Sequence, residues 1–107
     1  MAARNIDYQQ FQELMEEEKP VLVDFWAPWC SYCRRIEAPY EKIAEEFDGR
    51  VAVVKVNIDE QPQFAEQEQI EVIPTLVMYR GGKALGFVVA PESKAKIAEF
   101  VQETLGE

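Results

Sequence analysis

The chain has 107 residues, a formal net charge of −9 and 48% hydrophobic residues, which is the composition of one ordinary globular domain over residues 1–107. The acidic balance argues against nucleic acid as a partner, because nucleic-acid binding requires a basic surface. The longest apolar run is too short for a membrane helix, and no apolar run typical of a signal peptide directly follows Met1–Asn5. We therefore expect a cytoplasmic protein with no membrane or nucleic-acid partner, and we expect it to be a monomer.

Apolar periodicity predicts helices and strands in alternation along the chain. Asp7 and Gln10 form a capping-box pattern that starts a helix continuing through Met15. The predicted strands are apolar or β-branched runs: Val21–Trp26, Val51–Ile58, Thr75–Tyr79 and Ala84–Ala90. The other predicted helices follow Cys33, start near Pro62, and cover 91–105 with Ser93 as N-cap. This order is typical of a parallel βαβ unit followed by an antiparallel hairpin at Arg80–Lys83.

Three residues mark irregular points in these elements. Pro39 is expected to kink the helix after Cys33, because an interior proline removes a hydrogen bond and clashes with the preceding turn. Gly49 is expected to end that helix in a left-handed conformation. Gly86, inside a strand, indicates a bulge or close packing.

The two cysteines of the chain, Cys30 and Cys33, lie where the strand Val21–Trp26 gives way to a helical pattern. The first turn of a helix carries unpaired N–H groups and the positive end of the helix dipole, so a sulfur there is stabilised as the reactive thiolate. Cys33 lies one helical turn further on, with its sulfur deeper inside. We therefore expect Cys30 to attack a disulfide and Cys33 to resolve the resulting intermediate.

Two other interpretations of the cysteine pair are weaker. A structural disulfide closing so short a loop would add little stability, because the entropic gain grows with loop length. A structural zinc site needs about four Cys or His ligands, and the chain has no His and no third Cys. A C-x-x-C beside a strand–helix pattern thus indicates redox chemistry. We expect no metal site and no cofactor bound by the domain itself.

Asp24 is a single carboxylate inside an apolar strand, so burial should raise its pKa. One interpretation is a structural carboxyl whose hydrogen bonds and charge have partners in the core. The other is a general acid/base that serves Cys33 through a water molecule. Lys55, the only charge in 51–56, is the candidate partner, although a mid-strand lysine can also extend to solvent. We favour the Asp24–Lys55 pair.

Several segments, in the same order along the chain, resemble the thioredoxin family. The similarity runs from about Tyr8 to Leu105. The matching segments are Val23–Cys30 with Cys33, Pro39, Val56–Asp59, Ile73-Pro74-Thr75 and Gly81-Gly82.

The resemblance implies a thioredoxin-like α/β fold, with a central mixed β-sheet flanked by helices. It implies that Asp24 is the general acid/base, and that the Ile73–Pro74 bond is cis, where the residues alone indicate only a turn. Ile73 would then pair through its backbone with an extended segment of the substrate.

The implied activity is thiol–disulfide exchange with disulfide-containing protein substrates. The protein would be recycled by a reductase, in this family usually the flavoprotein thioredoxin reductase. The residues expected to contact substrate are Trp29, Ser31, Tyr32, Ile73, Pro74 and Ala90.

Two positions depart from the family pattern. Ser31 and Tyr32 stand where typical thioredoxins have Gly and Pro, and Ala90 stands where they usually have glycine. The Ser31 hydroxyl and the Tyr32 N–H are candidate donors to the Cys30 thiolate, which would make the couple more oxidising. A specialised isomerase-like or oxidase-like thioredoxin is thus one alternative function, and a non-catalytic binding module of the same fold is another.

Overall fold

The computed structural model describes residues 3–106, and all structural statements below concern that range. Its elements in chain order are β1 (Arg4–Asn5), α1 (Tyr8–Met15), β2 (Val21–Trp26), α2 (Ser31–Arg35), α3 (Glu37–Glu46), β3 (Ala52–Asn57), α4 (Pro62–Gln67), β4 (Thr75–Arg80), β5 (Lys83–Val89) and α5 (Lys94–Leu105). None of the helices in this range has the length and apolar character needed to cross a bilayer.

The five strands form one mixed sheet in the order β1-β3-β2-β4-β5, which confirms the predicted architecture. β1 and β2 both pair in parallel with β3, whereas β4 is antiparallel to β2 and to β5. β2 therefore lies at the centre of the sheet. It has β3 on one side and β4 on the other, and the cysteines follow its carboxyl end.

Two apolar layers cover the sheet. Alternate residues of each strand point to opposite faces, so Leu22 packs with α3 and α5 while Val23 packs with α1 and α4. Phe11 and Phe64 cover the second face with ring centroids 4.7 Å apart. Burial on both faces explains why β2 is an almost unbroken apolar run.

The predicted single helix after Cys33 is two helices. Ile36, with φ −91° and ψ 2°, separates α2 from α3. The break lies one turn before Pro39, which has no N–H to donate to the carbonyl of Arg35. The expected kink is thus present, but the backbone leaves the helical path at Ile36.

Most predicted helix ends are confirmed, and one is shifted. Asp7 and Gln10 form the capping box of α1, and the Ser93 side chain caps α5 by accepting from Lys96 N–H. Gly49 does have a left-handed φ of +83°, but α3 already ends at Glu46, so this glycine lies in the turn that follows.

The β4–β5 hairpin has the predicted turn and the predicted irregularity. Gly81 and Gly82 both have positive φ, which suits the two-residue turn. The register shifts between Met78 and Tyr79, so that Leu85 bulges out of the ladder. A Cβ on Gly86 would lie 3.2 Å from Thr104 Cγ2 of α5, so this strand position is also a close helix contact.

Candidate active site

Cys30 and Cys33 are joined in a disulfide at the carboxyl end of β2, with their Cα atoms 5.2 Å apart. Pro28 follows the strand, and its carbonyl accepts a 2.8 Å hydrogen bond from the Arg34 guanidinium. Cys30 is the N-cap of α2. The predicted position at the strand-to-helix junction is therefore confirmed.

The two sulfurs differ in surroundings. Cys30 is 9% exposed, whereas Cys33 is 1% exposed, so the first cysteine is the more accessible. The backbone N–H of Cys33 donates to Cys30 Sγ over 3.1 Å. A donor aimed at this sulfur favours its charged form after reduction.

The Ile73–Pro74 peptide bond is cis, as expected from the family resemblance. It places the carbonyl oxygen of Ile73 3.9 Å from Cys30 Sγ. The backbone N–H of Ala90 donates to the carbonyl of Pro74 over 2.9 Å. The Cys30 turn, the Pro74 loop and the end of β5 thus lie side by side.

Tyr32 lies between the cysteines, but its hydroxyl points away from the sulfurs. It donates to the carbonyls of Pro91 and Ala90, at 3.0 Å and 3.4 Å. Ser31 is exposed. In this disulfide form, the donor to Cys30 Sγ is the Cys33 N–H rather than the expected Ser31 hydroxyl or Tyr32 N–H. Every C-x-x-C motif has a backbone N–H at its second cysteine. The observed contact therefore provides no support for a higher reduction potential, that is, for a more oxidising couple.

Ala90 has a φ of +46°, in the left-handed region that glycine occupies at little cost. We expect Ala90→Gly to stabilise the protein by about 1 kcal/mol, because the Cβ of an alanine is strained at this φ. Urea unfolding with an unchanged m-value measures the effect. Ala95→Gly in α5 is the matched control and should destabilise by about 1 kcal/mol. Equal destabilisation by both substitutions would contradict the assigned strain.

Asp24 is 2% exposed, and its Oδ1 atom has no hydrogen-bond partner among the described residues. Burial raises the pKa of this carboxyl from 3.8 to about 7, with Glu37 adding to the rise and Lys55 opposing it. The sequence-based expectation of a raised pKa is confirmed. A carboxyl with a pKa near neutrality exchanges protons readily at physiological pH.

Lys55 does not form the expected direct ion pair with Asp24. The two are register partners on parallel strands, so their side chains leave the same face of the sheet. The Lys55 ammonium instead lies 4.9 Å from the centre of the Trp26 ring, a cation–π contact. Its charge still lowers the pKa of Asp24 from a distance.

Three contacts around the site were not predicted. Trp29 is 65% exposed, and its Nε1 donates to Asp59 Oδ2 over 3.0 Å, which orients the indole beside the cysteines. The buried Tyr40 hydroxyl donates to the carbonyls of Leu22 and Val54, at 3.1 Å and 2.7 Å. Burial raises the pKa of the Tyr40 hydroxyl well above its ordinary value, and the Asp24 charge raises it further, so the hydroxyl remains a donor.

The contact of Trp29 with Asp59 did have a signal in the sequence, because Asp59 is a carboxylate directly after the predicted strand 51–58.

Comparison with known proteins identifies the family of this chain. The sequence profile of the Thioredoxin family matches residues 3–103. Thioredoxin 1 of Nostoc sp. is 41% identical over 104 residues, covering 97% of both chains. Thioredoxin 1 of Synechococcus elongatus is 41% identical over 105 residues, covering 98% of both.

The fold agrees with this match. The crystal structure of Malassezia sympodialis thioredoxin superposes with a TM-score of 0.86 at 32% identity, covering 96% of this chain and 91% of that one. Disulfide-bearing proteins and a recycling reductase are the partners that this family suggests. With its C-x-x-C pair at the end of β2, the chain belongs to the thioredoxin family and is a thiol–disulfide oxidoreductase.

Proposed function

We propose that this protein reduces disulfides of partner proteins, with Cys30 as the attacking and Cys33 as the resolving cysteine. The observation that carries this assignment is the contrast between the sulfurs. Cys30 is the more exposed and accepts the Cys33 N–H, whereas Cys33 is almost fully buried. An accessible, stabilised thiolate is the nucleophile that thiol–disulfide exchange requires.

The exchange then runs in two steps. The Cys30 thiolate attacks one sulfur of the partner disulfide, that S–S bond breaks, and the other partner sulfur leaves as a thiolate that takes up a proton. Cys33 loses its proton and attacks Cys30 Sγ, which breaks the mixed disulfide, and the second partner sulfur leaves as a thiolate that takes up a proton. The Cys30–Cys33 pair is oxidised by two electrons, and the partner is reduced by two.

We assign proton transfer in the second step to Asp24. It is buried on the sheet face that packs against α3, and its pKa of about 7 allows it to accept the Cys33 proton through a water molecule. Lys55 would support the carboxylate form electrostatically, since its charge lowers the pKa of Asp24. Lys55 is therefore a positioning and tuning residue.

The segments around the disulfide would form a shallow groove for substrate. Trp29 supplies an exposed ring, and the Ile73–Pro74 segment offers backbone groups for pairing with an extended chain. Ser31, Tyr32 and Ala90 would frame the remaining side. The Ala90 methyl group, where the family usually has glycine, would narrow the groove.

Recycling needs an external electron donor, because the disulfide formed in each cycle must be reduced again. A flavoprotein thioredoxin reductase is the donor we propose on family grounds, with the protein acting as a monomer in the cytosol. Reducing compartments of this kind keep exposed disulfides labile, which suits a catalytic pair. Cys30, Cys33 and Asp24 carry the proposed chemistry without a bound cofactor.

The test is catalysed reduction of insulin disulfides by dithiothreitol, followed through precipitation of the freed chains. The protein should accelerate the reaction, and Cys30→Ser should remove the acceleration. Ala95→Ser, an exposed change in α5, is the control and should keep it. Equal rates with and without the protein would contradict the proposal.

A further inference from the structure

Beyond the redox site, four large apolar side chains are unusually exposed. Val72, Leu85, Phe87 and Val89 are 43% to 69% exposed, and Trp29 is the one other large apolar residue so exposed in 3–106. The three β5 residues with Val72 are called the β5 ridge below. A contiguous exposed apolar surface commonly marks a protein contact site.

The β5 ridge lies on an edge strand. β5 ends the sheet, and no residue from Ala84 to Val89 carries a charge. Edge strands usually carry charged or proline residues that oppose unwanted association. Lys83, at the start of β5, is the one charged residue of the strand, and the uncharged stretch 84–89 is consistent with a surface that is covered when a partner binds.

Two grooves flank the ridge. One, of about 470 Å³, lies between β5 and residues 68–72, and the other, of about 370 Å³, lies between β5 and α5. Phe87 and Val89 line both grooves. Apolar side chains of a partner segment could therefore pack on either side of the same two residues.

The rims of these grooves are acidic. Among the described residues, the first groove is lined by Glu68 and Glu71, and the second by Glu92, Glu99 and Glu103. The one basic residue in these linings is Lys96, whose Nζ lies 3.9 Å from Glu99. An apolar ridge between carboxylates is complementary to a segment that alternates apolar residues with Lys or Arg.

The ridge is continuous with the redox site. Val89 is the register partner of Thr75, which directly follows Pro74. Val72 directly precedes Ile73, whose carbonyl oxygen lies 3.9 Å from Cys30 Sγ. A segment that reaches the disulfide at Ile73 can thus extend along β5 without leaving the protein surface.

We propose that the β5 ridge is a docking surface for the protein substrates themselves, and that it selects those whose target cysteine lies beside an apolar, basic segment. The inference rests on the proposed function, since it names the substrate class of that same site. A second copy of this chain is a poorer occupant, because two molecules of net charge −9 repel each other.

The experiment compares two synthetic peptide disulfides, identical except that Leu alternates with Lys beside the cysteine in one and with Glu in the other. Hydroxyethyl disulfide, which has no such segment, is the reference. The wild type should reduce the Lys peptide with a kcat/KM about tenfold above that for the Glu peptide, and added salt should shrink the difference.

Two kinds of variant locate the effect. Phe87→Ser, at an exposed position, should lower the ratio of kcat/KM for the Lys peptide to that for hydroxyethyl disulfide about fivefold. The double change Glu71→Gln with Glu99→Gln should reduce the preference between the peptides, because it removes two of the five rim carboxylates. The matched control, Glu13→Gln with Glu45→Gln, makes the same charge change elsewhere and should retain the preference. Circular dichroism confirms that each variant is folded, and Leu85→Ser replaces Phe87→Ser if needed.

The outcomes separate the two proposals. If the wild type reduces both peptides equally, and the ridge variants change nothing, the docking surface is overturned while the oxidoreductase function stands. If the wild type reduces neither the peptides nor hydroxyethyl disulfide, both proposals fall. A wild-type dimer in sedimentation that Phe87→Ser dissociates, without any peptide preference, would assign the ridge to a second copy and overturn the docking surface.

Discussion

Replacing Cys33 by serine should trap the protein in a covalent complex with its substrate. Cys30 would still attack, but the mixed disulfide would have no internal thiol to resolve it. Turnover should fall by roughly 10³-fold or more, because an external thiol lacks the high effective concentration of a neighbouring one. Mass spectrometry under non-reducing conditions should show protein plus one substrate chain, and dithiothreitol should release it.

Cys30→Ser is the matched control for this trap. Cys33 is 1% exposed, so it should neither attack the partner nor form the adduct. Adduct formation by Cys30→Ser, combined with none by Cys33→Ser, would reverse the assigned roles of the two cysteines.

Replacing Asp24 by asparagine should slow resolution of the mixed disulfide by about 100-fold at neutral pH, which is a typical contribution of a general base. In the wild type, the resolution rate should rise with pH through about 7 as the carboxyl loses its proton. Asp24→Asn should lack this inflection. Stopped-flow tryptophan fluorescence across this pH range measures the step, and an unchanged profile in Asp24→Asn would argue against the assigned role.

The same substitution should raise stability in a pH-dependent manner. The pKa of Asp24 is raised in the folded state from 3.8 to about 7, so the folded protein holds this proton more tightly than the unfolded chain. The contribution of this bound proton to the free energy of unfolding is fully present below the unfolded pKa of 3.8. It is lost as pH rises through about 7, and the total loss is about 4 kcal/mol. Asparagine does not ionise, so the Asp24→Asn variant does not lose this stability as pH rises.

Asp24→Asn should therefore exceed wild-type stability by about 4 kcal/mol above pH 8 and differ little near pH 4. Urea unfolding at both pH values measures the difference. Asp48→Asn, a surface change in the turn after α3, is the same substitution outside the core and is the reference for the Asp24→Asn difference. A gain of equal size at both pH values would show that the burial of charge is not its cause.

The sequence predicted those parts of the site that depend on local pattern. The β-branched run that ends at Pro28, followed by a change of period, placed Cys30 between a strand and a helix. The raised pKa of Asp24 followed from one carboxylate in a buried strand. The cis bond at Pro74 came from family resemblance alone, because residues around a proline favour turns without specifying the isomer.

The parts that were missed depend on three-dimensional neighbours. Whether the Lys55 ammonium contacts Asp24 or the Trp26 ring depends on the direction that its side chain takes across two neighbouring strands. The contact from Tyr32 to Pro91 joins residues 59 positions apart. β1 consists of two exposed residues with no apolar pattern, and its pairing partner β3 lies far along the chain.

The reduction potential of the Cys30–Cys33 couple tests the central claim most directly, because it fixes the direction in which the pair works. Equilibration of the protein with a dithiothreitol buffer, read out by thiol labelling, measures it. The sequence profile of the thioredoxin family matches residues 3–103, and relatives 41% identical to this chain are thioredoxins. We therefore expect a value near −270 mV, the potential of a reducing thioredoxin. A value near −120 mV, in the range of strong oxidants, would contradict the reduction of protein disulfides as the function.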